Sequence, residues 1–157
     1  MKALYAAVAA AAVLVSPAAF AQDKPADNMA IVMEKVRADK KLVVAANMQL
    51  TEQEAAAFWP VYEAYQKDLG ALNDRIKTTI ESYATAYNQG TVPDETAKKL
   101  LSEALAVEAA EVDLKKSYVS KFEKVLPAAK VARYYQIESK IRAAIKYELA
   151  SGIPLVQ

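Results

Sequence analysis

The chain has 157 residues, with 20 basic and 19 acidic side chains and neither cysteine nor histidine. Those absences exclude disulfides, thiolate zinc sites and covalent haem attachment, and remove the commonest general base and metal ligand. The near balance of charge excludes the one-sided basic excess of a nucleic-acid-binding face. Only three glycines in an alanine-rich chain point to long helices and few turns.

Met1 to Ala21 reads as a secretory signal peptide: Lys2 gives a positive start, Ala3 to Val15 an apolar run, and Ala19-Phe20-Ala21 a small-x-small cleavage site. The run is too short and alanine-rich for a good membrane span, so no stable insertion is expected. No cysteine follows the cleavage site, which argues against a lipoprotein. Cleavage after Ala21 leaves residues 22–157 as a single all-helical domain, exported to a bacterial periplasm. Removal of Lys2 from the 20 basic residues leaves 19, matching the 19 acidic ones, for no net charge.

A polar lead, Gln22 to Asp27, precedes a first helix expected over Asn28 to Ala46. Met29, Val32, Met33, Val36, Val43 and Val44 share one side of it, and the Lys40-Lys41 pair reads as solvated surface. The second helix is the spine. Thr51 and Glu54 have capping-box spacing, with Leu50 placed to staple the first turn. Phe58, Tyr62, Tyr65, Leu69, Leu72, Ile76, Ile80, Tyr83 and Tyr87 then recur every three or four residues, the period of one apolar stripe on a helix. Gly90 supplies a left-handed stop. The spacing therefore predicts one helix of roughly 38 residues, about 57 Å long. Pro60 lies inside it, so a bend is expected there.

Thr91-Val92-Pro93-Asp94 is a loop, with Asp94 a candidate N-cap for a third helix reaching about Val125. Its stripe is Ala97, Leu101, Ala104, Val107, Leu114, Tyr118, Phe122 and Val125, broadened by Leu100, Leu105 and Val119. Glu108 and Glu111 sit one turn apart near that stripe and read as an exposed edge rather than an acid–base or cation site. A fourth helix is predicted over Pro127 to Ala150, with Val131, Tyr134, Ile137, Ile141, Ile145 and Leu149 as its face and Gly152 as its end. The tail Ile153-Pro154-Leu155-Val156 is extended and apolar, and is expected to dock. The fold class is thus all-α, an elongated, kinked four-helix arrangement of long antiparallel helices. Helices this long leave a thin core and spare apolar surface, suited to a homodimer interface or to a client.

Leu50-Thr51-Glu52-Gln53-Glu54, opening the spine, is echoed weakly by Leu126-Pro127-Ala128-Ala129-Lys130, where an aromatic pair again follows at the same distance. With these stretches the chain resembles the small periplasmic helical proteins of the Spy and CpxP group, whose Leu-Thr-x-x-Gln motif occurs twice, each time opening a helix. Here Gln53 stands one position early, Glu54 takes its place, and the second copy keeps only Leu126. The resemblance implies a four-helix fold, frequently an antiparallel dimer, and ATP-independent holding of unfolded or stressed envelope proteins. The alternative it implies is a regulatory partner that inhibits one envelope stress sensor.

No nucleophile motif or phosphate-cradling glycine loop accompanies these features, so no enzymatic step and no cofactor or metal is expected. The candidate protein-binding residues are Phe58, Trp59, Tyr62, Tyr65, Tyr134 and Tyr135. On a helix Phe58 and Trp59 point about 100° apart, so Phe58 continues the core stripe. Trp59 is left to meet a partner or another helix through Tyr134 or Tyr135.

Overall fold

The computed structural model describes residues 39–156, and among them every regular element is a helix. The described part of helix α1 covers residues 39–48, α2 runs Glu52–Asn88, α3 Asp94–Glu123 and α4 Ala128–Gly152. The all-α class expected from periodicity holds. The predicted signal peptide, the polar lead and the first part of the predicted first helix lie outside the described residues.

Helix α2 starts as its sequence dictates. The Glu54 N–H donates to the Thr51 hydroxyl at 3.2 Å, and the Thr51 N–H donates to Glu54 Oε2 at 2.8 Å. Leu50 packs, half-buried, against the core beneath that turn. At the far end Gly90 turns the chain away with φ of 103°, a conformation glycine adopts without steric cost. Pro60 sits within the helix, and both it and Ala56 are exposed. The carbonyl that the missing proline N–H leaves unbonded therefore belongs to the hydrated side.

Contacts between the helices fix their directions. Tyr118 reaches Asp68 and Glu103 reaches Arg75, so α3 runs antiparallel to α2. Arg142 reaches Glu111 and Lys146 approaches Glu108, so α4 runs antiparallel to α3 and alongside α2. Lys40 meets Glu138 and Asn47 meets Arg133, placing α1 antiparallel to α4.

The core gathers at the end of α2 that bears the capping box. Val44 and Met48 of α1 join Phe58, Tyr62, Tyr65 and Leu69 of α2, Tyr118 and Phe122 of α3, and Val131 and Tyr134 of α4. Leu126, in the turn between α3 and α4, closes it. Three expectations change here. Lys40, expected on the surface, is only 7% exposed. On α3, Leu101 and Leu105 leave the predicted stripe for solvent, and Glu111 takes an inward place beside Val107. On α4 the buried residues are Val131, Tyr134, Glu138 and Arg142, while Ile137, Ile141 and Ile145 flank them half-buried. Charged side chains occupy inward positions because they meet opposite charges there, which periodicity of apolar residues cannot register.

Candidate protein-binding site

The six aromatic residues singled out from the sequence do come together. Phe58 lies 5.1 Å from Trp59, 5.8 Å from Tyr62 and 5.3 Å from Tyr134 between ring centroids. Tyr65 lies 6.2 Å from Tyr134 and 6.4 Å from Tyr135. Phe122, which the sequence reading left as plain stripe, is the hub from α3, 4.7 Å from Tyr134 and 5.7 Å from Phe58. Most of these pairs are edge-on or tilted, the arrangement the ring quadrupole favours.

Burial divides the six. Phe58, Tyr62, Tyr65 and Tyr134 are buried, so in this fold they form the core and present no face to a partner. Trp59 and Tyr135 are half-buried. Trp59 does not reach Tyr134 or Tyr135 as the sequence suggested. Its ring neighbours are Phe58 and Tyr62, and Lys41 of α1 places its ammonium 5.2 Å from the indole centroid. Lys41 also pairs with Glu63, so both residues of α2 are met by α1. Tyr135 donates its hydroxyl to the Lys115 carbonyl at 2.8 Å.

A polar layer adjoins the rings. Lys40 Nζ donates to Glu138 Oε1 at 2.5 Å and to Gln66 Oε1 at 2.9 Å. The Gln66 amide in turn donates to the Tyr134 hydroxyl and to Glu138 Oε2. Burial pulls the Lys40 ammonium below the usual lysine pKa, and attraction to Glu138 opposes this without cancelling it. Burial, reinforced by the Glu138 charge, raises the Tyr134 phenol far above its ordinary value, so it stays neutral.

One turn further along α4, Arg142 pairs with Glu111 through two nitrogens and donates to Asn73 Oδ1 at 2.8 Å. Lys115 adds a bond to Glu111 at 2.7 Å. Burial alone would raise the Glu111 pKa, but the bonds from Arg142 and Lys115 outweigh it and hold the carboxyl down at about 2. Glu111 is therefore a structural anion, not the exposed edge expected from its spacing to Glu108. Tyr65 breaks the pattern: its buried hydroxyl has no hydrogen-bond partner.

Helix α1 is fastened at its C-terminal end by α4. Arg133 Nε donates to the Asn47 carbonyl at 2.6 Å, and Lys130 Nζ to the Gln49 carbonyl at 3.1 Å. These cations cap the C-terminal carbonyls of α1, where a helix carries partial negative charge. Gln49 then turns the chain with φ of 52°, the left-handed conformation usual just past a helix end but costly for a residue with a Cβ. Nothing in the sequence of α1 itself announces these caps.

The open apolar surface lies elsewhere, on α3. Leu101, Leu105, Val112 and Val119 are exposed by 62%, 57%, 48% and 36%. At 100° per residue they fall within about 40° of one another, forming a single line along the helix. Glu108 and Lys116, both exposed, interrupt it. The tail docks only in part: Tyr83 donates to the Pro154 carbonyl at 2.8 Å, while Leu155 is 88% exposed.

Among the described residues no cluster of three or more metal-ligating side chains occurs, and no helix is long and apolar enough to cross a membrane. Compared with known proteins, the chain matches no family model, no curated protein and no solved structure.

Proposed function

We propose that this chain is a periplasmic protein-binding module that holds unfolded or stressed envelope proteins without ATP, using the exposed face of α3. The line Leu101, Leu105, Val112 and Val119 carries the proposal. Four large aliphatic side chains aligned on one helix face cost solvation unless something covers them. The interruptions at Glu108 and Lys116 argue for the kind of client. A permanent interface is more continuously apolar, whereas short apolar steps between charges of both signs suit weak, sequence-tolerant contact with extended chains. The signal peptide expected at Met1 to Ala21 and the resemblance to the Spy and CpxP proteins support the same compartment and role.

The test is a client-aggregation assay with the wild-type chain and a Leu101→Ser/Leu105→Ser variant. Both positions are exposed, so the variant keeps its thermal melt, and suppression of aggregation falls. Capture of one envelope protein with no general suppression would replace holding by regulation of that partner. Conversion of a dimer to a monomer, with suppression intact, would assign the face to self-association.

A further inference from the structure

The exposed line on α3 has a symmetry. Leu105, Glu108, Val112, Lys116 and Val119 follow one another at steps of three, four, four and three residues. Read outward from Val112 the steps match in both directions. Aliphatic answers aliphatic, and the acid is answered by a base. All five side chains are exposed. At 100° per residue, Glu108 and Lys116 lie about 40° to either side of Val112, and Leu105 and Val119 about 20° to either side. Turned end for end about Val112, the face superposes on itself with its charges exchanged.

A face with that symmetry fits a second copy of itself. In an antiparallel pair with its two-fold axis at Val112, Glu108 of each chain stands level with Lys116 of the other. Leu105 then stands level with Val119, and Val112 meets its own counterpart. A parallel pair would set Glu108 against Glu108 and Lys116 against Lys116. A slide of one turn would bring one charge of each copy level with Val112 of the other. Charge therefore selects both direction and register, as polar residues do along a coiled-coil seam. Neither charge is committed elsewhere. Lys116 has no hydrogen bond or ion pair among the described residues, and Glu108 is only approached by Lys146, at 3.9 Å, with both side chains more than half exposed. The matching runs from Leu105 to Val119, about 21 Å of helix, while Leu101 falls level with Glu123. So short a seam belongs to the weak, transient class of interface.

We propose that α3 pairs reversibly with α3 of a second copy, antiparallel about Val112, and that this pairing masks the surface offered to clients. The masking rests on the reading of that surface as the client-holding face, whereas the pairing does not. A client and a copy cannot cover the same aliphatic side chains at once. The two compete, and client binding draws pairs apart by mass action.

Sedimentation velocity of the full chain over a concentration series reads the pairing. The unsubstituted protein passes from monomer to dimer as its concentration rises. By symmetry Glu108→Lys and Lys116→Glu each make two attractive levels repulsive, and each weakens the dimer by about tenfold or more. Thermal melts stay unchanged because both positions are exposed. An equimolar mixture of the two variants regains the dimer, since each supplies the charge that the other lacks. In a chain without cysteine, Val112→Cys oxidises to a linked dimer faster than Leu101→Cys, because only position 112 faces itself. In the client-aggregation assay, each single variant suppresses aggregation better per chain than their mixture does. A mixture that associates no better than its components, or equal cross-linking at positions 101 and 112, would overturn the pairing. Restored pairing in the mixture with no fall in suppression would overturn the masking. No suppression by any of these proteins, with pairing intact, would overturn the client-holding reading and leave the pairing standing.

Discussion

Phe58 and Trp59 are adjacent in sequence but should fail very differently when truncated to alanine. Phe58 is fully buried and its ring lies within 5.8 Å of Trp59, Tyr62, Phe122 and Tyr134, rings drawn from three helices. Removing it leaves a cavity that rigid rings cannot collapse to fill, so Phe58→Ala should cost about 3–5 kcal/mol. Trp59 is half-buried, with two ring neighbours and the Lys41 ammonium. Two aromatic pairs and one exposed cation–π contact together amount to about 2 kcal/mol. Urea unfolding followed by circular dichroism measures both variants on the same signal, which matters because Trp59 is the chain's single tryptophan. Equal destabilisation by the two substitutions would show that Trp59 is core, and that the division of the cluster into floor and rim is wrong.

Two further outcomes follow from the interior. Tyr65→Phe should stabilise the protein by about 1 kcal/mol in the same urea assay, because it removes a buried hydroxyl without a partner. A loss of similar size would show that the hydroxyl is satisfied in solution. Acid should weaken the fold through Glu111, whose carboxyl is held at about 2 against an ordinary value of 4.5. The unfolded chain takes up that proton first, so the stabilisation is full above the ordinary value and is lost as the pH falls towards 2. Allowing for solvent screening of a partly exposed network, the loss is about 2 kcal/mol. Glu111→Gln should therefore be the weaker protein near pH 6, with the gap to wild type narrowing by about 1 kcal/mol near pH 3 and by the full amount only as the pH falls below 2. A constant gap would remove Glu111 from the acid response.

What the sequence made legible is what backbone hydrogen bonding and apolar periodicity control. The Thr51 and Glu54 cap, the length of α2, the glycine stop and the inward places of Phe58, Tyr62, Tyr65 and Leu69 are all read correctly from spacing. The errors about buried charge share one cause. On α4 the apolar residues Ile137, Ile141 and Ile145 looked like the inner face, yet Glu138 and Arg142 hold the buried positions beside them. Each buried charge is explained by a residue 31 to 98 positions away in the chain, so no local pattern can signal it. The same holds for the α1 caps, donated by Lys130 and Arg133, and for Lys40, which looked solvated next to Lys41. The aromatic cluster was found, but its spacing could not tell a ring that packs inside from one at the rim.

The buried charges also suggest why this bundle keeps them. An interior lined only by Tyr, Phe, Leu and Ile at helical spacing is nearly self-similar under a one-turn slide of α4 along α2. Such a slide would bring Glu138 towards the place of Arg142 and leave both Lys40 and Glu111 facing the wrong partner. Buried ion pairs add little net stability over apolar residues of the same volume, because desolvation offsets much of their attraction, but breaking one costs about 3–5 kcal/mol. Their cost therefore falls on the misaligned states rather than on the native one. By this argument a slide of α4 along α3 would break the Arg142 pair, and one of α1 along α4 the Lys40 pair. The two networks reach different neighbours. Arg142 ties α4 to α3 and, through Asn73, to α2, whereas Glu138 ties α4 to Lys40 of α1 and to Gln66 of α2.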